Sequence, residues 1–275
     1  MIKFSKEKFL KKVKKIKIDA IKSIYHAKSG HPGGVLSAAD IVTYLFFNEI
    51  EINKKNINSL NRNRFILSKG HAAPLLYSIG AELGLIKKVD LLKLRNIGSN
   101  LQGHTSRNHT PWVEANTGSL GQGFSFGIGQ ALACKLNKSN NKVYVMIGDG
   151  EIQEGMIWEG ALFASNYSLN NLCVILDNNK IQNDNFVKNI IKINPIGKKW
   201  KSFNWNVITI NGHNFKQIKE AINKFKKEKN KPTLILANTI KGKGVNFMEN
   251  NPLWHGSIDI GQENYEKAIK ELSNE

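Results

Sequence analysis

The hydrophobic positions near the amino terminus follow a helical spacing. Phe9, Val13, Ile16, Ala20 and Ile24 recur every three or four residues, and lysines occupy most of the positions between them. This spacing predicts an amphipathic helix whose outer face is basic. Such a face is most simply a solvated surface, and the alternative interpretation is a docking surface for an acidic partner protein.

Further along the chain, five short apolar runs are typical of buried β-strands. Helical patterns such as 124–136 and 157–167 lie between several of them, and segments 53–63 and 183–195 are predicted to be loops. Apolar strands that alternate with helices indicate the α/β class, with a doubly wound, mostly parallel sheet and helices on both faces. The five runs are residues 65–68, 143–147, 172–176, 207–210 and 234–237.

Composition excludes several broad classes of protein. The chain has 275 residues, of which 41% are hydrophobic and 23% are charged. These values are ordinary for a globular protein of one large or two small domains, and they argue against disorder in most of the chain. No stretch approaches the roughly 20 consecutive apolar residues of a membrane-spanning helix. We therefore expect no membrane span.

The charge balance is strongly basic, with a formal net charge of +18. A basic chain raises the question of nucleic-acid binding. However, only four of the 40 basic residues are arginine, and bidentate recognition of phosphates or guanine edges favours arginine. The lysines are also spread along the chain. We interpret them as a solvated surface rather than a nucleic-acid site.

The cysteines and the amino terminus bear on localisation. Cys134 and Cys173 both lie within apolar patterns, so we expect reduced thiols rather than a disulfide, as in a cytoplasmic protein. The first residues, Met-Ile-Lys-Phe-Ser-Lys, lack the apolar core of a secretory signal.

Two polar side chains follow neighbouring predicted strands. Asp149 lies between two glycines, and Asn179 lies thirty residues later. The carboxyl ends of neighbouring parallel strands meet at one edge of a sheet, so the two side chains can converge. A carboxylate and an amide oxygen suit Mg²⁺ or Ca²⁺, and Mg²⁺ usually completes its shell with water and phosphate oxygens. The glycines and the following helix amino terminus favour an anion. The pattern therefore indicates a diphosphate bound through Mg²⁺.

The Gly-Asp-Gly sequence and the later Asn-Asn resemble the diphosphate-binding motif of thiamine diphosphate enzymes. In that family, the Asp and the second Asn bind Mg²⁺ together with a backbone carbonyl two residues further on. The resemblance therefore implies that Asp149, Asn179 and the carbonyl of Ile181 are the metal ligands. Ca²⁺ is a possible substitute for Mg²⁺.

Four other segments, in the same order as in the family, extend the resemblance to transketolase over about residues 8–260. They are Ser-Gly-His-Pro-Gly-Gly (29–34), Leu-Ser-Lys-Gly-His-Ala (67–72), Gly-Ser-Leu-Gly-Gln-Gly (118–123) and Trp-His-Gly (254–256). The resemblance implies the thiamine diphosphate-binding fold. It also implies transfer of a two-carbon ketol unit from a ketose phosphate to an aldose phosphate, as in the pentose phosphate pathway.

The resemblance implies roles for individual residues. Histidines suit proton transfer at substrate hydroxyl groups near neutral pH, and His31, His104 and His255 would line the substrate channel. The residues after His104 depart from the family's usual continuation. Glu154 and Glu159 match acidic residues at the family's dimer interface, and Glu154 is included among the catalytic candidates. The cofactor contacts would be His71, Gly118, Ser119, Leu120, Gly150, Asn179 and His255.

A complete transketolase has a second half, which supplies a pyrimidine-binding domain and an activating glutamate. Residues 1–275 match the diphosphate-binding domain alone, and the tail 262–275 predicts one short amphipathic helix. The resemblance thus implies the amino-terminal subunit of a split transketolase. We expect a heterotetramer, with two copies of this chain and two of a separate carboxyl-terminal subunit. An acidic contact surface on that partner would match the excess of lysine.

Other functions stay open at this point. Within the same cofactor class, the alternatives are deoxyxylulose phosphate synthase, the alpha subunit of a 2-oxo acid dehydrogenase, and a split transketolase for another sugar. From a different class, the chain could be a non-catalytic remnant that binds cofactor or RNA.

Overall fold

The computed structural model describes residues 5–183 and 185–274. Five of its strands form one parallel sheet, and the other two form a small antiparallel hairpin. All five strands predicted from the sequence are confirmed, with ends that differ by one or two residues. The strands are β1 (Arg64–Leu67), β2 (Val143–Gly148), β3 (Leu172–Asn178), β4 (Ile181–Gln182), β5 (Asn185–Phe186), β6 (Asn206–Asn211) and β7 (Thr233–Asn238).

Helices connect most of these strands. The two predicted internal helices and the predicted terminal helix are confirmed. The prediction of a loop over 183–195 is wrong in part, because β5 and a single helical turn, α6, lie there. The helices are α1 (Lys6–Ala27), α2 (Pro32–Asn48), α3 (Ala73–Glu82), α4 (Gln122–Leu136), α5 (Gly155–Asn166), α6 (Val187–Ile190), α7 (Ile196–Ser202), α8 (Phe215–Lys227) and α9 (Gln262–Asn274).

The parallel sheet has the strand order β1-β2-β3-β7-β6 and a hydrophobic cluster on each face. Successive side chains of a strand point to opposite faces. In β2, Tyr144 and Met146 therefore pack with residues of α1, α2, α3, α8 and α9, whereas Val143, Val145 and Ile147 pack with α4, α5 and α7. Because both faces are covered, the central strands β2 and β3 are buried along almost their whole length.

The first helix confirms the predicted amphipathic pattern with one exception. Ser5 caps α1 by accepting a hydrogen bond from the backbone N–H of Lys8, and Phe9 and Val13 are buried. Lys17 is also buried, at 1% exposure, so the basic face is not wholly outward. Among the described residues, no helix combines the length and apolarity needed to cross a membrane.

The carboxyl ends of the central strands lie level with one another. Gly148 of β2 pairs with Asp177 of β3, and Asn178 pairs with Asn238 of β7. The segments that follow these strands therefore begin at one edge of the sheet. This edge is where ligands bind in open parallel sheets, and it carries the residues singled out above.

We expect truncation of the buried Ile175 of β3 to Ala to lower the free energy of unfolding by about 2–5 kcal/mol, because it removes core contacts and leaves a cavity. Ile175 has no exposed surface. The matched control is Ile97→Ala at a fully exposed isoleucine, which should change that free energy by less than about 0.5 kcal/mol. Urea denaturation of both variants measures the difference, and equal effects would contradict the core assignment.

Candidate functional site

The four histidines singled out above converge at the carboxyl edge of the sheet. His31 lies directly before α2, and His71 lies in the helical turn after β1. The ring centroid of His31 is 5.2 Å from that of His71, 6.0 Å from that of His255 and 6.4 Å from that of His104. The rings of His71 and His255 are 5.5 Å apart. Four segments that are distant in sequence thus present imidazoles to one region.

Burial and neighbouring positive charges keep these imidazoles neutral. Burial lowers the pKa of His31 to about 4, and the charge of Arg95 adds to this effect. Burial likewise lowers the pKa of His104, His71 and His255. A neutral imidazole has one donor and one acceptor nitrogen, as proton transfer to or from a hydroxyl requires. The buried Nδ1 of His31 has no hydrogen-bond partner among the residues that the structure describes, so it is available to a ligand.

Lys241 connects the histidines to the predicted metal site. Its side chain is 1% exposed, and its Nζ lies 2.6 Å from His255 Nδ1 and 3.0 Å from the carbonyl oxygen of Ile181. In its ammonium form Lys241 can only donate, so His255 Nδ1 then accepts and Nε2 carries the ring proton. Burial, together with the charge of Lys69, lowers the pKa of Lys241, whereas Asp149 and Asp177 act to raise it.

The predicted metal ligands lie on adjacent segments at this edge. Asp149 accepts hydrogen bonds from the N–H of Gly150, at 2.9 Å, and from the N–H of Lys180. Lys180 lies between Asn179 and Ile181, whose carbonyl faces Lys241. The Asp149 and Asn179 side chains are 2% and 3% exposed. The structure therefore places all three predicted ligands around one short turn.

Asp149 and the turn 179–181 together offer ligands that fit a hard divalent cation. These are the Asp149 carboxylate, the Asn179 amide oxygen and the Ile181 backbone carbonyl, which are groups that Mg²⁺ and Ca²⁺ accept. An ammonium already donates to the Ile181 carbonyl, so this oxygen faces positive charge. The described residues contain no group of three or more His, Cys, Asp or Glu side chains that could hold a metal ion. A metal site here thus depends on amide and carbonyl oxygens.

The fully buried carboxylate of Asp177 organises the residues behind this turn. It accepts hydrogen bonds from Lys69 Nζ, Ser37 Oγ, Thr239 Oγ1 and Asn179 Nδ2. Burial acts to raise the pKa of Asp177, but the charge of Lys69 and these hydrogen bonds lower it overall. The carboxylate therefore stays ionised, and it orients the Asn179 amide. Lys69 also donates to the Gly34 carbonyl, at 3.1 Å.

The glycine-rich segment 118–123 lies beside the histidines. Gly118 has a φ of +133°, and a Cβ there would lie 3.0 Å from the ring of His104. Ser119 is exposed and Leu120 is half-buried. The buried Glu151 carboxylate accepts hydrogen bonds from the N–H of Gly121, at 2.9 Å, from the N–H of Gly148, at 3.0 Å, and from Ser68 Oγ. Glu151 therefore ties this segment to the ends of β1 and β2.

The structure does not bring every candidate into the cluster. Glu154 is exposed directly before α5, and Glu159 is exposed on that helix. No hydrogen bond or ion pair within the described segments joins Glu154 to the histidines. His213 is engaged at both ring nitrogens, since Nδ1 lies 2.9 Å from the Asp40 carboxylate and Nε2 accepts from the N–H of Ile240 at 2.9 Å.

Sequence reasoning missed three charged side chains of this region. Lys69 lies two residues before His71, Lys241 follows β7 by three residues, and Glu151 follows the Gly-Asp-Gly motif directly. All three are 1% exposed. Their positions in the sequence could have identified them, because each follows a predicted strand at the edge where ligands bind. In a chain with so many lysines, however, Lys69 and Lys241 do not stand out from the other lysines.

The depressed histidine pKa values predict how stability depends on pH. The pKa of His31 is 6.5 in the unfolded chain and about 4 in the folded chain. Between these values the unfolded state binds more protons, so the free energy of unfolding falls as the pH is lowered from 6.5 towards 4. His31→Gln should make this pH dependence shallower, whereas His26→Gln, at an exposed histidine, should not. Urea denaturation at several pH values tests this, and parallel curves for wild type and His31→Gln would contradict it.

Comparison with known proteins agrees with this geometry. The family described as "Transketolase, thiamine diphosphate binding domain" matches residues 7–273. The chain is 39% identical over 246 residues to a 6-deoxy-6-sulfo-D-fructose transketolase subunit of Clostridium sp. (strain MSTE9), covering 90% of this chain and 89% of that protein. It is 36% identical over 253 residues to an apulose-4-phosphate transketolase subunit of Phocaeicola vulgatus, covering 92% and 89%.

Longer transketolases match over part of their length. Human transketolase is 36% identical over 259 residues, which cover 94% of this chain and 41% of that protein. The crystal structure of transketolase from Campylobacter jejuni superposes with a TM-score of 0.90 at 31% identity, covering 98% of this chain and 43% of that one. The predicted fold class is thereby confirmed, and the chain belongs to the transketolase family of thiamine diphosphate-binding domains.

Proposed function

We propose that this chain is the amino-terminal subunit of a split transketolase. The observation that carries the proposal is the convergence of four neutral histidines with Asp149 and the turn 179–181 at one sheet edge. The relatives named as transketolase subunits have similar length, since the aligned region covers 89% of each. Residues 1–275 would then form the diphosphate-binding domain alone.

The proposed cofactors are thiamine diphosphate and Mg²⁺. Asp149, Asn179 and the Ile181 carbonyl would hold the metal, and thiamine diphosphate, when bound, would supply the carbon centre that carries the two-carbon unit. Lys69 is already paired with Asp177, whereas Lys241 is a buried cation beside this turn whose charge a diphosphate would compensate. The direct contacts proposed for the cofactor are His71, Gly118, Ser119, Leu120, Gly150, Asn179 and His255.

The proposed catalytic work of this chain is proton transfer at substrate hydroxyl groups. His31 offers an unpartnered Nδ1, and His255 offers its Nε2 because Lys241 occupies Nδ1. His104 borders the same space and is the fourth ring of the cluster. Glu154, exposed before α5, would act only at a contact with another protomer.

A separate carboxyl-terminal subunit would complete the site. The activating glutamate of the family would come from the pyrimidine domain of that partner. Large apolar side chains on α4 and α5 support a protein contact, since Phe126 is 44% exposed, Leu162 59% and Phe163 40%. We propose two copies of each chain, as a heterotetramer in the cytoplasm.

The proposed substrates are short ketoses and aldoses that end in an anionic group. The two relatives named above act, by their names, on a sulfonated deoxyfructose and on apulose 4-phosphate. Ketose phosphates of the pentose phosphate pathway belong to the same chemical class. A non-catalytic remnant that binds cofactor or RNA is the alternative from another class.

Affinity purification of the chain from its own cells, followed by mass spectrometry, tests the proposed assembly. We expect a second chain with a pyrimidine domain, and ketol transfer between sugar phosphates by the purified pair. Recovery of this chain alone, or with RNA and a raised ratio of absorbance at 260 to 280 nm, would contradict the proposal.

Removal of the charged metal ligand should abolish metal-dependent cofactor binding. In Asp149→Ala, the affinity for thiamine diphosphate with Mg²⁺ should fall by more than about 100-fold, since loss of an outer-shell partner alone costs about 10–100-fold. Asp90→Ala, at a partly exposed carboxylate far in sequence from the metal turn, is the matched control. Calorimetric titration with and without Mg²⁺ measures both, and wild-type affinity in Asp149→Ala would refute the metal assignment.

Loss of a channel histidine should act on turnover rather than on cofactor affinity. His31→Ala should lower kcat of the reconstituted pair by about 10²–10⁴-fold, the usual contribution of a general acid–base group, while the affinity for thiamine diphosphate stays the same. Steady-state kinetics with sugar phosphates provides the measurement. Unchanged turnover would remove His31 from the site.

A further inference from the structure

Arg95 contacts three loops at once. Its Nη1 donates a hydrogen bond to Ser29 Oγ at 2.7 Å and a longer one to Ser257 Oγ at 3.3 Å. The third contact is to Gly103, where a Cβ would lie only 2.7 Å from Arg95 Nε. The backbone of Arg95 has a φ of +61°, and its N–H donates to the Leu101 carbonyl at 2.8 Å. The guanidinium is therefore held in one position.

Each of these three contact residues lies close in sequence to a histidine of the cluster. Ser29 precedes His31 by two residues, Gly103 precedes His104 directly, and Ser257 follows His255 by two residues. A single side chain thus touches three of the four loops that carry the histidines. A backbone hydrogen bond from the N–H of Ile258 to the Gly30 carbonyl, at 3.0 Å, joins two of the same loops.

The charge of Arg95 is not balanced by a carboxylate. Arg62 and Arg64 both pair with Glu114, whereas no ion pair of Arg95 occurs within residues 5–183 and 185–274. Within the same ranges, its buried Nε has no hydrogen-bond partner. A half-buried cation that lacks an acidic partner is costly to keep. A function in the site would account for that cost.

We propose that Arg95 is a positioning residue, whose guanidinium fastens together the loops that carry His31, His104 and His255. The inference rests on the proposed function only in treating these histidines as the substrate channel. Arginine suits the task because two hydrogens on one planar nitrogen reach two hydroxyls in a fixed geometry, whereas the ammonium of lysine is a flexible point charge.

The geometry also accounts for the glycine at position 103. Any larger residue there would collide with the Nε, Cζ and Nη2 atoms of Arg95.

Besides holding the loops, Arg95 acts on the histidine rings through its positive charge. This charge lowers the pKa of both His31 and His104, after the larger effect of burial. Arg95 therefore contributes in two ways, through its contacts with the loops and through its charge beside the rings. Two substitutions of Arg95 can distinguish these contributions.

The experiment compares Arg95→Lys, Arg95→Met and the control Arg107→Met in the full-length chain. Arg107 is exposed, lies on the same connection as His104, and is not part of the proposed site. The first readout is amide hydrogen exchange at Ile258. Both Arg95 variants should exchange this proton about tenfold faster, as expected for the loss of a hydrogen bond worth about 1.4 kcal/mol. The control should exchange at the wild-type rate.

The second readout is the pH titration of the histidine rings by nuclear magnetic resonance. Arg95→Met should raise the pKa of His31 and His104, because it removes a positive charge and admits water. The other titratable groups that act on the pKa of His31 are His104, Lys241 and Lys69, and these side chains are retained. Arg95→Lys should leave these pKa values closer to those of the wild type, although it loosens the loops.

Neither readout needs cofactor, partner or activity, so this proposal can fail while the proposed function stands. Wild-type exchange at Ile258 in both Arg95 variants would overturn it. Exchange that is faster at Ile258 and equally faster in the strand amides 143–147 would overturn it too, because that result indicates general destabilisation. If Arg95→Met does not fold, Arg95→Lys decides the outcome.

Discussion

The buried carboxylate of Asp177 is the interaction on which the site depends. It lies at the end of β3 and receives hydrogen bonds from α2 through Ser37, from the segment after β1 through Lys69, and from the segment after β7 through Thr239. A buried carboxylate without such partners would be strongly destabilising. The folded chain can satisfy it only when these elements meet at one edge. The position of Asn179 beside it, and hence of the turn 179–181, follows from that requirement.

Neutral histidines next to buried cations give the site its electrostatic character. Positive charges near an imidazole disfavour the imidazolium form, so the rings of the cluster stay neutral, and each offers one nitrogen that donates and one that accepts a hydrogen bond. The same charges attract anions. Lys69 is balanced by Asp177, whereas Lys241 donates, among the described residues, to a carbonyl oxygen and to the neutral His255, and the charges of Asp149 and Asp177 act to raise its pKa. The proposed diphosphate would add negative charge beside Lys241.

Much of the fold could be predicted from the sequence, because strand and helix periodicity is a local property. The five parallel strands and the place of Asp149 at the end of β2 follow from short apolar runs. The hairpin of β4 and β5 and the single turn of α6 could not be predicted, since elements this short leave no periodic pattern. Lys69, Glu151 and Arg95 were missed for another reason. A charged residue shows its function only when distant segments bury it, and no local pattern records that burial.

The histidine cluster is assembled from all three thirds of the chain. His31 and His255 lie 224 residues apart in sequence, yet their rings are 6.0 Å apart. During synthesis, a nascent chain that extends only to β3 holds Asp149 and Asp177 but neither Lys241 nor His255. Contacts of such long sequence separation form late and slowly. Cofactor binding would therefore begin only near the completion of folding, and the cofactor would stabilise the finished domain without trapping partly folded chains.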